Sequence, residues 1–320
     1  MNSLLGLALF VFPREVRWAY VAFCGVFLIG VIAIFFRGGW KKARGLDKLI
    51  LFGPIFYAAP LAGFGTEHFT LTSTIASIVP PWMPWHLFWA YFVGACFIAA
   101  PLSMVTRIQA RLSASLLAFT FFFFVMLMDV PGLVQDPRNR IVWALSFREL
   151  SFSSGALALA AGLGEPAQER IWRTLAAIAR VVIAVAILFY SFEQFRHGNY
   201  VPAIPLGRIT PTWIWGHAVW TYLVAAVYVV AGIPLLIGFK ARGAALWIAL
   251  AVLFVEFAVY VPIGVVERST IVGFNFMADT LMYCGAVLLL ASAMPTNLRR
   301  DRKEIVPSIS RGHDDHILTS

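Results

Sequence analysis

Charge is what this chain has least of. Of its 320 residues only 13 % are Asp, Glu, Lys or Arg, against roughly 25 % in a typical soluble domain, so an ordinary water-facing globular surface is excluded. Cysteine is also scarce. Cys24, Cys96 and Cys284 stand alone inside apolar runs and no C-x-x-C is present, which leaves thiol–disulfide chemistry and Cys-based zinc sites unsupported. The sequence has no G-x-x-x-x-G-K-[ST], G-x-S-x-G or H-E-x-x-H, and so gives no support to nucleotide binding, serine hydrolysis or a zinc-hydrolase centre. Residues 1–12 are apolar but lack a basic leading segment and a cleavage site, so no cleaved signal peptide is expected. What is abundant is hydrophobic sequence, at 60 %. Several runs reach the roughly 20 residues a helix needs to cross a bilayer core. Every backbone amide there must be satisfied within its own segment, so these runs are helices.

One internal repeat organises them. Residues 86–131 and 217–262 align without a gap at an offset of 131 and share 13 of 46 positions, among them His86/His217, Trp89/Trp220, Tyr91/Tyr222, Arg111/Arg242 and Pro131/Pro262. Leu, Val and Ala coincide by chance in apolar helices; a His, two aromatics, an Arg and a Pro in one register do not. The expected fold is therefore all-α, a polytopic membrane protein of about nine transmembrane helices: two parallel four-helix bundle repeats plus one N-terminal helix. The expected division is 1–45 (N-terminal helix and basic loop), 46–165 (first module), 166–294 (second module) and 295–320 (a solvated, disordered tail). Spans are expected at 16–36, 49–65, 86–106, 112–128, 146–163, 175–192, 215–239, 243–265 and 271–294, the fifth being the weakest because Arg148 and Glu149 lie near its start. Sixteen basic residues fall in one set of inter-helix segments and seven in the other. By the positive-inside rule the N-terminus lies outside and the C-terminus in the cytoplasm. Arg180, within a span, is expected to snorkel or to meet a lipid phosphate.

With that topology the ionisable residues gather toward the outer face: Glu67, His68, His86, Asp129, Arg148 and Glu149 in the first module, and Glu193, His197, His217, Glu256 and Asp279 in the second. Glu149 and Asp279 correspond at an offset of 130. Charge at membrane depth is costly and marks proton relays or ligand sites. Residues at helix ends also sit where charge is cheap, in the ordinary aromatic belt, and carboxylate–Arg pairing would neutralise them without chemistry. The long connections 66–85 and 193–214, rich in Pro and Trp, have the composition of lids, and the segment between Asp129 and Glu149 is long enough for an excursion over the bundle.

The run Gly65-Thr66-Glu67-His68-Phe69, then Val79-Pro80-Pro81-Trp82-Met83-Pro84-Trp85, the helix with Trp89, Tyr91 and Gly94, Ala110-Arg111 and Val130-Pro131 resemble the DoxX-like family of bacterial four-helix membrane proteins. Pro211, Trp213, His217, Trp220, Tyr222 and Val261-Pro262 repeat the pattern, and the two copies span about 46–294. There are departures: Gly94 becomes Ala225, Asp129 becomes Tyr260, and only Glu193 and Phe195 answer to the Gly65–Phe69 run. The resemblance implies a multi-pass protein of the bacterial cytoplasmic membrane. Some relatives are membrane subunits of quinone-linked oxidation systems.

Three functions compete. In the first, a redox-associated subunit binds a quinone or another lipid-soluble ligand at the outer end of the bundles. Glu67 and His86 bond the ring oxygens, Trp85, Trp89, Tyr91, Trp220 and Tyr222 line the site, and a membrane redox partner supplies electrons. In the second, the intramembrane carboxylates serve a small-solute transporter or channel. In the third, the helix faces assemble partners without catalysis. A nucleic-acid partner is not expected, because the basic residues sit in short loops that set topology.

Overall fold

The computed structural model describes residues 12–164 and 169–294. Residues 1–11, where a signal peptide was considered, and the tail 295–320 lie outside them. Nine long helices dominate, numbered here in chain order: α1 Arg14–Phe36, α2 Gly53–Thr70, α3 His86–Thr106, α4 Ala110–Phe124, α5 Arg140–Gly162, α6 Glu169–Arg196, α7 His217–Ile237, α8 Ala241–Val255 and α9 Ile271–Ala293. Among the described residues the chain is all-α apart from one isolated bridge between Tyr200 and Ile209. Among the described residues eight helices are long and apolar enough to cross a membrane. The ninth, α5, has the length but carries Arg148, Glu149 and four serines, so the nine expected spans resolve as eight apolar helices and one polar one.

Several expected boundaries move, each for a local reason. Helix α5 begins at Arg140 rather than Ser146 because the Asn139 side chain accepts hydrogen bonds from the Ile141 and Val142 amides and caps it there. The excursion expected between Asp129 and Glu149 is mostly helix. Helix α4 runs through a π turn at Val125–Asp129 into a further helical segment, Val130–Gln135, leaving 136–139 as the connection. Pro131 starts that segment at a position where no amide donor is required.

The backbone repeats at 131 residues. The bounds of α3 and α7, α4 and α8, and α5 and α9 coincide at that offset, as do the π turns Val125–Asp129 and Glu256–Tyr260. Left-handed residues recur in the same register: Trp85 and Gly216, Arg107 and Gly238, Gln109 and Lys240. So does an indole bond across the helix start, from Trp89 Nε1 to Pro84 O (3.0 Å) and from Trp220 Nε1 to Trp215 O (2.7 Å). Helices α2 and α6 correspond at 126 instead, through the ring contacts Phe69–Tyr91 and Phe195–Tyr222. The difference lies in the connections: 197–216 is five residues longer than 71–85.

Within the runs α2–α5 and α6–α9 each helix packs on the next, but the two runs close on each other rather than each on itself. They join through α5 against α9, with α2 packed on α9, α6 on α5, and α1 outside on α2. Two contacts between α5 and α9 join residues 131 apart. Arg148 pairs with Asp279, and Gly155 meets Ala286 so closely that an added Cβ would lie 2.5 Å from the Ala286 Cβ. In-register contacts seven residues apart on each helix mean the two run side by side in the same direction.

Candidate functional site

The two central helices bring the charge together. Arg148 Nη1 donates to Asp279 Oδ2 at 2.7 Å, and its Nη2 donates to Glu149 Oε1 at 3.4 Å. Asp129, at the end of the first π turn, lies within electrostatic reach of both Arg148 and Glu149. One guanidinium therefore pairs with two carboxyl groups, and a third, Asp129, lies nearby, while Glu149 Oε2 and Asp129 Oδ2 are buried without hydrogen-bond partners. Arg148 and Asp279 each sit eight residues into their helices, ~12 Å along the axis at 1.5 Å per residue. The pair thus lies about a third of the way through the span, not at its rim. The register of the helices also corrects the expected equivalence: Asp279 corresponds to Arg148, and Glu149 corresponds to Thr280.

The remaining acids are dispersed. Glu67 Oε2 accepts from Asn275 Nδ2 at 3.2 Å, tying α2 to α9, and its Oε1 is buried without a partner. Glu193, its counterpart in α6, lies 3.7 Å from Arg140 and 3.8 Å from His197. Glu256 opens the second π turn, is 2 % exposed, and has an unpartnered Oε2. Around it the second module is lined with tyrosine. The Tyr190 hydroxyl donates to Ala144 O (2.9 Å) and its ring meets Tyr283 edge-on. The Tyr228 and Tyr283 hydroxyls are buried without partners.

The second long connection is a lid; the first is not. In 197–216, Val201, Ala203, Ile204 and Ile214 are buried. The Ala203 amide donates to Gln194 Oε1, Tyr260 Oη to Pro202 O, and Arg140 Nη1 to Pro205 O. Arg208 clasps Glu267 through both nitrogens of its fork. Those bonds hold the Glu267 carboxyl below the ordinary carboxylate range. In 71–85, Trp82 and Trp85 stand in the open and Ala76 is the one buried side chain.

Several residues singled out from the sequence fall elsewhere. Glu67 turns to Asn275 rather than to His86. His68 bonds the Ala90 carbonyl through Nδ1 at 2.9 Å, a packing role between α2 and α3. His86 and His217 open α3 and α7 on the rim, half-buried. Trp85 is 76 % exposed, Tyr91 and Tyr222 are each 47 % exposed, and the Trp89 and Trp220 indoles cap their own helix starts. Trp85, Tyr91 and Tyr222 thus face outward, while Trp220 packs against the core. Arg180 Nη1 donates to the Leu235 and Leu236 carbonyls at the end of α7. Arg140, Asn275, Tyr190, Tyr228 and Tyr283 were not singled out. The signal was the repeat itself, which sets Tyr228 against Phe97 and Tyr283 against Phe152.

Among the described residues no three His, Cys, Asp or Glu side chains converge as metal ligands. Searches of family models, curated proteins and solved structures returned no match to the chain.

Proposed function

We propose that this integral membrane protein is a tandem DoxX-like bundle in the bacterial cytoplasmic membrane, with its N-terminus outside. Its central polar cluster exchanges protons with a lipid-soluble ligand of the quinone class. The observation that carries this reading is Arg148 paired with Glu149 and Asp279 in a helix interior, with unpartnered carboxyl oxygens on Glu149 and the nearby Asp129. An ion pair kept for packing needs one acid; a surplus of acids beside a fixed cation is what proton exchange requires. Reduction of a quinone takes two electrons and two protons. Glu149 and Asp129, each with an unpartnered oxygen, are the proton carriers, and a membrane redox partner supplies the electrons. The 131-residue backbone register and the parallel α5–α9 contact support two modules inserted the same way up.

Native mass spectrometry with lipid extraction, on protein purified in mild detergent, tests this. A bound quinone that is lost on Glu149→Gln would support the reading. A ligand-free protein whose thermal stability ignores quinone analogues would overturn it. One observation favours small-solute transport as a second reading: the Arg148–Asp279 pair lies between the two helices that join the modules, where a rocking motion would make and break it. Liposome uptake unaffected by an Arg148→Gln, Asp279→Asn double change would remove that mechanism.

A further inference from the structure

The two modules differ on the membrane-facing side of their second and third helices. Between α7 and α8 runs an apolar groove of about 470 Å³, lined by Leu223, Val227, Val230, Pro234, Gly243 and Trp247, with Lys240 at one end. In the first module the corresponding seam between α3 and α4 carries a polar tie. Ser103 Oγ and Ser113 Oγ bond each other at 2.8 Å, and Ser103 also bonds the Ile108 carbonyl. Their counterparts in the 131 register are Pro234 and Ala244, which cannot form that bond. Leu112 is replaced by Gly243, where an added Cβ would meet nothing within 4 Å. Gln109 is replaced by Lys240. The second copy thus lacks the tie and carries a glycine and a cation where the first has Leu112 and Gln109.

We infer that this groove holds one acyl chain of an anionic phospholipid, with the headgroup on Lys240. Length supports this: from Leu223 to Pro234 is eleven residues, ~16 Å of helix, close to the roughly 15 Å half-thickness of a bilayer core. The groove therefore spans one leaflet and stops near the midplane, as a single chain would. Charge supports it too. Lys240 makes no ion pair among the described residues and rests over the Phe239 ring at 5.4 Å. Neighbouring Arg242 is already committed to Asp47 and the Ala291 carbonyl. The first-turn amides of α8 add positive potential beside Lys240. By the basic-residue count this end faces the cytoplasm, where basic pockets between helices take anionic headgroups.

The inference does not rest on the quinone reading. The test is add-back of phosphatidylglycerol or phosphatidylcholine to delipidated full-length protein, followed by native mass spectrometry. One retained phosphatidylglycerol is expected, preferred over phosphatidylcholine about fivefold, the factor equivalent to roughly 1 kcal/mol per interfacial Lys. Lys240→Gln should abolish the preference and Lys240→Arg should keep it. Gly243→Leu, which adds bulk where space is open and improves helix propensity, should remove retention of both lipids while the protein stays folded. An unchanged preference in Lys240→Gln, or unchanged lipid number in Gly243→Leu, would overturn the proposal. Recovery of a quinone from the groove in place of phospholipid would overturn it as well.

Discussion

At two equivalent helix positions the first module carries phenyl rings where the second carries phenol. In one register, Phe97, Phe152, Val125 and Asp129 of the first copy face Tyr228, Tyr283, Glu256 and Tyr260 of the second. Phe97, Phe121, Phe124 and Phe152 stack among themselves, which takes full advantage of ring burial and asks for no hydrogen bond. The second interior keeps the same helix bounds but holds hydroxyls and a carboxyl, three of whose oxygens are buried without partners. A buried polar atom left in that state costs about 1–3 kcal/mol. The backbone plan is thus indifferent to the filling. At the phenylalanine positions the first copy packs rings against one another, and the second buries polar atoms that are expensive unless they do something; the first copy has unpartnered polar atoms of its own, those of Asp129, Arg148 and Glu149 among them. The lid follows the aromatic division: the tyrosine-bearing module is covered and the phenylalanine-bearing one stands open.

The largest break in this comparison is at the seam the modules share. Arg148→Gln leaves Asp279 buried without its cation and should destabilise the protein by about 3–5 kcal/mol, read as a lowered unfolding midpoint in detergent. Because 148 and 279 are register-equivalent, the exchanged pair Arg148→Asp, Asp279→Arg should recover most of that loss. No recovery would show that the two positions are not interchangeable.

Swapping the fillings sharpens the contrast. Phe97→Tyr buries a hydroxyl among the packed rings of the first module and should cost about 1–3 kcal/mol, whereas Tyr228→Phe should be neutral or stabilising. A clear loss for Tyr228→Phe in the same assay would mean that its hydroxyl has a partner and the second interior is hydrated. A smaller effect is expected at the lid. Tyr260→Phe removes the bond to Pro202 and should cost about 0.5–1.5 kcal/mol. Hydrogen exchange at Val201, Ala203 and Thr210, whose amides are bonded within or beneath the lid, should rise while 71–85 is unchanged.

The smallest effect is at the Arg208–Glu267 clasp. The folded Glu267 carboxyl is depressed, so its contribution is complete above the ordinary carboxylate value of about 4.3 and is lost as pH falls through the folded value. Its size should stay under about 1 kcal/mol at this partly exposed site. Glu267→Gln should flatten the acid-side rise in lid exchange; an unchanged profile would assign the pH dependence to another group.

The helices were legible because bilayer-length apolar runs leave the backbone little choice, and the repeat was legible because polar residues such as His86 and Arg111 recur in step. Two kinds of information were not. Helices that are apolar all round carry no phase, so nothing in the sequence told which way Trp85, Tyr91 or Tyr222 would point, and the inward lining expected of them faces out. Partners across 131 or 208 residues, as in Arg148–Asp279 and Glu67–Asn275, depend on how the bundles dock, which no local pattern encodes. The cap at Asn139 was visible as a residue type, but the charges after it hid the start of α5.

The contact at Arg148 and Asp279 has one more consequence. Where two equivalent helices touch at equivalent positions, a dimer of identical chains would have to set like against like, Arg on Arg or Asp on Asp, and repel. Writing both halves into one polypeptide lets a single structural position carry opposite signs on its two sides. Here the seam between the halves has become a directional feature, a cation on one side and an anion on the other, in a place where symmetry would forbid it.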